Sequence, residues 1–346
     1  MKTAPAFILA AVVAALPLRL DAQPSACTPH ANSQGNRVDE AGFVPLGGLE
    51  QWVTVRGDDR DNPILLHVHG GPGIALSAFV AEFAPFDKAY TSVQWDQRGS
   101  GCTFGRYRDA PLDVTLDRLA LDGVELAEYL HQRFAGRELI VLGHSFGTIV
   151  ATEMVRRAPE QFAAYVGTGQ FTSTRAHVEE QLAQLRVLAT RNGDAQLAAE
   201  LSRIGTLDSN SPARFGAVNR LLGPHMPPAD GAFIQGLEAR AAQVMTSAEI
   251  ADWRNGRGAS VGRLLPEVQR VDFLASVDRL EVPFVLIQGG ADLITPTAPA
   301  ITYFNRVQAP AKGLVVIDGA GHFPFITYTA EFLAALNRTA RPLALR

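Results

Sequence analysis

The sequence predicts an α/β fold with a doubly wound, mostly parallel sheet, and three observations predict it. Short apolar runs recur along the chain, and each ends in a polar or glycine-rich break. Segments with the composition of helices separate these runs. The runs are hydrophobic at nearly every position, as strands are when both faces of a parallel sheet are buried. Strands and helices that alternate in this way form right-handed βαβ units, which build a sheet with helices on both sides.

The first 22 residues have the features of an export signal. Lys2 provides a positive start, residues 6–16 are continuously apolar, and Ala22 is a small residue suited to the position before a cleavage site. The apolar run is too short to span a bilayer. We therefore predict a cleaved signal peptide at residues 1–22, a secreted or periplasmic location, and no membrane span in the mature chain.

The composition is that of an ordinary globular protein. The chain has 346 residues, 47% hydrophobic and 19% charged, with a net charge of −4. No basic stripe indicates a nucleic acid partner, and the oligomeric state cannot be deduced. The two cysteines, Cys27 and Cys102, can pair in an oxidising compartment or remain separate thiols. Neither has the spacing of a metal ligand, so no metal site is predicted.

The elements follow in chain order. We expect an N-terminal arm at residues 23–40, which are polar and aperiodic, and a hairpin around the glycine pair at residues 47–48. Strands are predicted at residues 64–68, 91–95, 139–142, 164–166, 283–288 and 313–317. Helices are predicted at residues 116–134, 148–157 and 330–337.

One connection is too long for a single crossover. Residues 171–282 contain no clear strand, and helices are predicted at residues 177–191, 195–203, 212–222, 231–245 and 266–277. We interpret residues 171–282 as a helical cap inserted into a core formed by residues 41–170 and 283–346. The polar breaks of this core collect at the carboxyl ends of its strands, where open α/β sheets have their active sites.

A nucleophile is predicted at Ser145. The sequence G-H-S-F-G at residues 143–147 fits the pattern G-x-S-x-G between a predicted strand and a predicted helix, which is the context this pattern requires. The flanking glycines remove side chains that would clash in a strained turn. The N-terminus of the following helix provides positive potential where negative charge develops.

A serine hydroxyl needs a base, and His322 is the best placed of the eight histidines. It follows the glycine-rich residues 319–321 directly after the last predicted strand. Asp292, after the preceding strand, is expected to orient the imidazole, and Asp318 is the competing acid. The chain order Ser145, Asp292, His322 is the order of nucleophile, acid and base in this arrangement. The expected oxyanion donors are the N–H groups of Phe146 and Gly71.

Four segments together resemble the proline iminopeptidase family of α/β hydrolases. They are H-G-G-P-G at residues 69–73, D-Q-R-G-S-G at 96–101, G-H-S-F-G at 143–147 and G-A-G-H at 319–322. The resemblance covers about residues 43–335 and is weak through the cap. It implies the α/β-hydrolase fold, a helical cap, no cofactor, and release of an N-terminal residue, often proline, from peptides or small amides.

By position, Ser145, Asp292 and His322 match the family's triad, and Gly71 and Phe146 match its oxyanion donors. Two positions depart from the family pattern: Thr103 stands where the family often has Ser, and Phe146 where it often has Trp. The family binds the substrate's free amine with cap glutamates, but no local motif selects among those available here. The candidates are Glu179, Glu180, Glu200, Glu238 and Glu267.

Two other functions use the same sequence features. A carboxylic ester or lactone hydrolase would need the same triad without an anionic pocket for an amine. A ligand-binding protein would keep the fold without the chemistry. The expected substrate is therefore a small molecule or a peptide, and the cap determines which.

Overall fold

The computed structural model describes residues 27–208 and 211–345, so the predicted signal peptide at residues 1–22 lies outside the described residues. Within them, one sheet contains nine strands. The strands are β1 (His30–Ala31), β2 (Val38–Leu46), β3 (Leu49–Gly57), β4 (Ile64–Val68), β5 (Thr91–Asp96), β6 (Leu139–His144), β7 (Ala164–Thr168), β8 (Phe284–Gly289) and β9 (Lys312–Ile317).

The strand order confirms the predicted doubly wound, mostly parallel sheet. The order is β1-β2-β3-β5-β4-β6-β7-β8-β9. Three pairs are antiparallel, namely β1 with β2, β2 with β3, and β3 with β5. Every other pair is parallel. The chain adds β5 on one side of β4 and β6 on the other, so the direction of winding reverses there. Ligands of open α/β sheets bind at such a reversal.

Thirteen α-helices lie in the described part of the chain. They are α1 (Gly101–Arg106), α2 (Leu116–Arg133), α3 (Phe146–Arg157), α4 (Thr174–Asn192), α5 (Ala195–Gly205), α6 (Pro212–Leu222), α7 (Pro228–Gln235), α8 (Leu237–Ala241), α9 (Ser247–Val268), α10 (Phe273–Ser276), α11 (Thr297–Arg306), α12 (Pro324–Thr327) and α13 (Thr329–Thr339). Helices α4 to α10 all lie between β7 and β8, and we refer to residues 171–282 as the cap. Among the described helices, none combines the length and the apolarity that a bilayer crossing requires.

Side chains of the central strands are buried on both faces of the sheet, which explains their continuous hydrophobic runs. Along β4, Ile64 and Leu66 belong to one core cluster, and Leu65 belongs to another. Successive side chains of a strand point to opposite faces, so these clusters lie on the two sides of the sheet. Full burial of one such aliphatic side chain contributes about 1.5–3 kcal/mol.

The cap differs from the sequence prediction in three places. The predicted helix at residues 231–245 is replaced by the two shorter helices α7 and α8, which are separated at Gly236. The prediction at residues 266–277 is wrong, because Pro266 lies inside the end of α9 and α10 is a single short turn. The long helix α9 itself was not predicted, because glycines at several of its positions lower its intrinsic helix propensity.

One of these glycines shows why α9 forms nevertheless. A Cβ atom at Gly256 would lie 2.9 Å from Cβ of Phe104 in α1, so the close packing of α9 on α1 requires glycine there. Tertiary packing thus offsets the weak propensity of the segment.

The described part of the predicted arm is attached to the core. Cys27 and Cys102 form a disulfide with a Cα–Cα distance of 5.9 Å, which resolves the alternative that the sequence left open. Both cysteines are buried with Ala41 and Trp52 in a small cluster. Residues 30–31 pair with β2 as the short strand β1. The disulfide therefore joins the start of the described chain to the helix that follows the D-Q-R-G-S-G motif.

Candidate active site

Ser145 occupies a strained turn between β6 and α3. Its φ angle is +54°, and it is the one non-glycine residue with a positive φ among the residues described. A Cβ at Gly147 would lie 2.0 Å from the carbonyl oxygen of Val68, so only glycine fits beside the nucleophile. The backbone N–H of Ser145 donates to the carbonyl of Thr168 at 3.0 Å. A left-handed conformation costs a side-chain-bearing residue about 1–2 kcal/mol, and neighbouring strands hold it here.

His322 and Asp292 meet at the ends of β9 and β8. The imidazole Nδ1 lies 3.0 Å and 3.1 Å from the two carboxylate oxygens of Asp292. Both residues are buried. Asp318, the competing acid, is exposed and has no hydrogen bond with the imidazole in the described structure. Of the two candidate acids, Asp292 is therefore the partner of His322.

The carboxylate of Asp292 accepts several further hydrogen bonds. The backbone N–H groups of Ile294 and Thr295 donate at 2.8 and 2.9 Å, and the Thr295 hydroxyl donates at 2.7 Å. Burial by itself raises the pKa of Asp292, but His322 and the Thr295 donors outweigh it and hold the pKa below the usual range. A charged carboxylate facing Nδ1 assigns the proton of a neutral imidazole to Nδ1 and leaves Nε2 as the acceptor.

Thr295 is a site residue that sequence reasoning missed. Its hydroxyl lies 3.1 Å from Nδ1 of His322 as well as 2.7 Å from Asp292. The one local indication is its position three residues after the acid, where a turn returns the chain to the carboxylate.

The backbone of His322 is held from two sides. Its N–H donates to the carboxylate of Asp230, which comes from α7 in the cap. Its carbonyl accepts from Nε2 of His144 at 2.9 Å. Burial lowers the pKa of His144 to about 3, so this neighbouring ring is neutral and does not compete as a base near neutral pH. Neither contact was predicted, because both join segments that are distant in sequence.

The two predicted oxyanion donors flank the nucleophile. Phe146 is the first residue of α3, where a backbone N–H has no intrahelical acceptor. Gly71 lines the same cavity as Ser145. A Cβ at the adjacent Gly70 would lie 2.9 Å from Cβ of Ser145, so the 69–73 loop packs directly on the nucleophile.

The 69–73 loop is supported by the loop after β5. Nε2 of His69 lies 3.1 Å from the Ser100 hydroxyl, and the Gln97 side chain donates to the His69 carbonyl at 3.1 Å. Arg98 forms a bidentate ion pair with the buried Asp122 at 2.8 and 2.9 Å. The H-G-G-P-G and D-Q-R-G-S-G motifs therefore form one supporting structure, which explains why they occur together.

A cavity of about 190 Å³ joins the nucleophile and the base. Ser145 and His322 both line it, and no hydrogen bond joins their side chains in the described structure; such contacts often tighten only with substrate bound. The other lining residues are Gly70, Gly71, Ile74, Leu76, Phe79, His144, Phe233, Ile234, Arg257, Ile294, Phe323, Phe325 and Ile326. This lining is largely apolar, includes one cation, and includes no carboxylate among the described residues.

The five cap glutamates lie away from this cavity. Three form ion pairs with arginines, and two accept hydrogen bonds elsewhere. The partners are Arg214 for Glu179, Arg203 for Glu200, Arg254 for Glu238, Gln184 for Glu180, and the N–H of Leu116 for Glu267. In this structure none of the five is positioned to bind an amine beside Ser145.

Comparison with known proteins identifies the family and several relatives. Residues 63–328 match a family model described as alpha/beta hydrolase fold. A Bacillus subtilis (strain 168) protein named "Probable aminopeptidase YbaC" is 26% identical over 307 residues, covering 86% of this chain and 95% of that protein. A proline iminopeptidase of Heyndrickxia coagulans is 25% identical over 301 residues, covering 86% and 96%.

A solved structure agrees in fold. A proline iminopeptidase-related protein from Thermus thermophilus superposes with a TM-score of 0.61 at 24% identity, covering 88% of this chain and 99% of that one. The resemblance inferred from the four motifs is confirmed.

Proposed function

The chain belongs to the α/β-hydrolase fold family, and from that premise we propose that it is a serine hydrolase that acts by acyl transfer to Ser145. The observation that carries the proposal is the buried pair of Asp292 and His322, whose imidazole lines the same cavity as Ser145. A base held by a charged carboxylate beside a hydroxyl on a strained turn is the arrangement that activates a serine nucleophile.

The proposed reaction has two steps. His322 Nε2 takes the proton of Ser145 as the hydroxyl oxygen attacks the substrate carbonyl, and the N–H groups of Phe146 and Gly71 stabilise the oxyanion. The imidazolium then protonates the leaving group, and an acyl ester of Ser145 remains. Water, deprotonated by His322, attacks this ester, releases the acid and restores the serine.

We propose an aminopeptidase, which releases N-terminal residues from peptides or small amides, as the first candidate. Its support is the names of relatives that match nearly their whole length, together with the family resemblance of the four motifs in this chain. The reaction needs a site for the free amine in addition to the acyl-transfer groups.

The second candidate is a carboxylic ester or lactone hydrolase that uses the same three residues. The observation that favours it is the composition of the cavity, which offers no described carboxylate for an amine. A largely apolar pocket beside the nucleophile suits an ester, because an ester does not require a carboxylate that binds a free amine.

Replacement of the nucleophile tests the shared proposal. Ser145→Ala should lower kcat by roughly a thousandfold or more, whereas Ser202→Ala on the exposed face of α5 should leave it unchanged. Proline and alanine aryl amides assayed beside a short-chain aryl ester separate the candidates. Turnover of an amide supports the aminopeptidase, and turnover of the ester alone supports the second candidate. Near wild-type turnover by Ser145→Ala would contradict both.

We also propose that the protein works outside the cytoplasm after its first 22 residues are removed. The buried disulfide between Cys27 and Cys102 supports this location, because such bonds persist in oxidising compartments. Mass spectrometry of the protein recovered from the cytoplasmic and the exported fractions of the cell tests this location. An exported chain that begins at Gln23 is expected, and a cytoplasmic chain that retains Met1 would contradict the proposal.

A further inference from the structure

Arg257 places an unpaired cation at the cavity that Ser145 lines. The residue lies on α9 and is exposed, and its side chain forms no hydrogen bond or ion pair with any other residue of the described chain. Arg254, one turn earlier on the same helix, is bound by both carboxylate oxygens of Glu238 at 3.0 and 2.8 Å. The guanidinium of Arg257 therefore keeps its full hydrogen-bonding capacity for something that enters the cavity.

The backbone of α9 is fixed against the loops of the active site. The Cα of Arg257 is 2.9 Å from the position that a Cβ at Gly73 would take, so the helix lies directly on the 69–73 loop. The Ser260 hydroxyl donates to the carbonyl of Gly99 at 2.8 Å, and the Trp253 indole donates to the carbonyl of Ala75 at 3.1 Å. These contacts fix the position of the Cα atom of Arg257 relative to Ser145.

The surroundings of Arg257 favour a negatively charged ligand. Phe79, Phe233 and Ile234 line the same cavity and carry no charge, so Arg257 is the one permanent cation among the described lining residues. Among the described lining residues no carboxylate competes for the guanidinium. A planar guanidinium presents paired donors that match the two oxygens of a carboxylate, so the geometry of recognition is bidentate.

We propose that Arg257 binds a free carboxylate of the substrate, which makes small amides or esters with a second, anionic group the preferred substrates. The proposal rests on the proposed acyl transfer at Ser145 and adds a specificity residue to it. The carboxylate has two chemical sources. It is the C-terminal carboxylate of a dipeptide if the enzyme cleaves amides, or the free acid of a dicarboxylic half-ester if it cleaves esters.

Binding without turnover tests the proposal independently of the chemistry. The Ser145→Ala variant is titrated by calorimetry with prolyl-alanine and with prolyl-alanine amide, and separately with monomethyl and dimethyl glutarate. The member of one pair that carries the free carboxylate should bind roughly tenfold more tightly, as charge-assisted bidentate hydrogen bonds do. Adding Arg257→Gln should remove the preference, Arg257→Lys should restore part of it, and Arg254→Gln should leave it intact.

Turnover in the otherwise unmodified chain gives the second readout. For the preferred pair, Arg257→Gln should raise KM for the substrate with a free carboxylate, and leave its kcat and the turnover of the substrate without one unchanged. Equal binding of the two members in both pairs, or an equal loss for both in Arg257→Gln, would overturn the proposal. A wild-type chain that binds the carboxylate ligand through Arg257 and hydrolyses none of the four would refute only the acyl-transfer function.

Discussion

The carboxylate of Asp230 accepts a hydrogen bond from the backbone N–H of His322. Asp230 belongs to α7 of the cap, and its side chain is buried beside the loop that carries the base. Burial raises the pKa of Asp230, and the N–H groups of His322 and Phe323 partly offset the rise. One carboxylate oxygen lacks a hydrogen-bond partner in the described structure. The Asp230 carboxylate thus links the cap to the loop of His322, although burial of a partly unpaired polar group costs free energy.

Removal of this contact should impair catalysis through the position of the base. Asp230→Ala is expected to lower kcat about tenfold or more with a smaller change in KM, because a misplaced base slows chemistry more than binding. Glu238→Gln, at an exposed acid of α8, is the control and should have no effect on kcat. Unchanged kcat in a folded Asp230→Ala variant would show that the cap does not position His322.

Gly169 lies against the imidazole of His322. Its φ is +54°, and a Cβ there would lie 3.0 Å from Cε1 and 3.2 Å from Nδ1 of His322. Gly193 has a similar φ of +62° with open space around it, so it provides a matched control. Gly169→Ala should lower kcat about tenfold or more, whereas Gly193→Ala should cost only about 1–2 kcal/mol of stability. Measurement of both kcat and urea midpoints separates backbone strain, which both variants share, from displacement of the His322 imidazole, which only Gly169→Ala causes. Equal effects of the two variants on kcat would contradict the role of Gly169 beside the imidazole.

Stability should fall as the medium becomes acidic. Burial lowers the pKa of four histidines, to about 3 for His67 and His144 and about 4 for His69 and His177. An unfolded histidine titrates near 6.5, so the unfolded chain binds more protons below that pH. The stability that these neutral rings contribute is complete above pH 6.5 and is lost as the pH falls toward 4 and 3. Each histidine accounts for about 2 kcal/mol between pH 7 and pH 5.

Three buried acids act in the opposite direction. Burial raises the pKa of Asp87 and Asp96 to about 6, so the stability linked to their protonated forms is complete below 3.8 and is lost as the pH rises through 6. Burial also raises the pKa of Asp230, so its contribution has the same sign. Because the histidines outnumber these acids, urea midpoints should be lower at pH 5 than at pH 7. A midpoint that stays constant or rises at pH 5 would contradict the neutral burial of the rings.

The disulfide should contribute stability rather than activity. Cys27 and Cys102 are 75 residues apart in sequence, and a cross-link over such a distance restricts the unfolded chain considerably. The double variant Cys27→Ser/Cys102→Ser should lose about 2–4 kcal/mol of unfolding free energy and keep its kcat. A reducing agent should destabilise the wild type and leave the variant unaffected. A variant as stable as the wild type would contradict this role.

The strands and their motifs could be predicted because their determinants are local. The run at residues 139–142 and the pattern around Ser145 are explained by burial on both faces and by a turn that admits only small neighbours. The chain order of Asp292 and His322 then follows from parallel strands whose ends share one edge of the sheet.

The contacts of the cap could not be predicted, because they depend on tertiary packing. Helix α9 is poor in helix propensity, and its glycines make sense only beside Phe104 and the 69–73 loop. Asp230 and Thr295 are ordinary polar residues in sequence, and only the folded chain brings them to His322 and Asp292. The disulfide between Cys27 and Cys102 could not be predicted either. It depends on the path of the chain between Cys27 and the strand β2, which begins at Val38.

Covalent labelling can show whether Ser145 is a nucleophile that His322 activates. The native protein is treated with a fluorophosphonate, and the modified residue is located by mass spectrometry of its peptides. We expect one adduct, on the peptide that contains Ser145, formed at a rate that falls at least a hundredfold in His322→Ala. Absence of an adduct on Ser145, or labelling at an unchanged rate without the imidazole, would contradict this assignment.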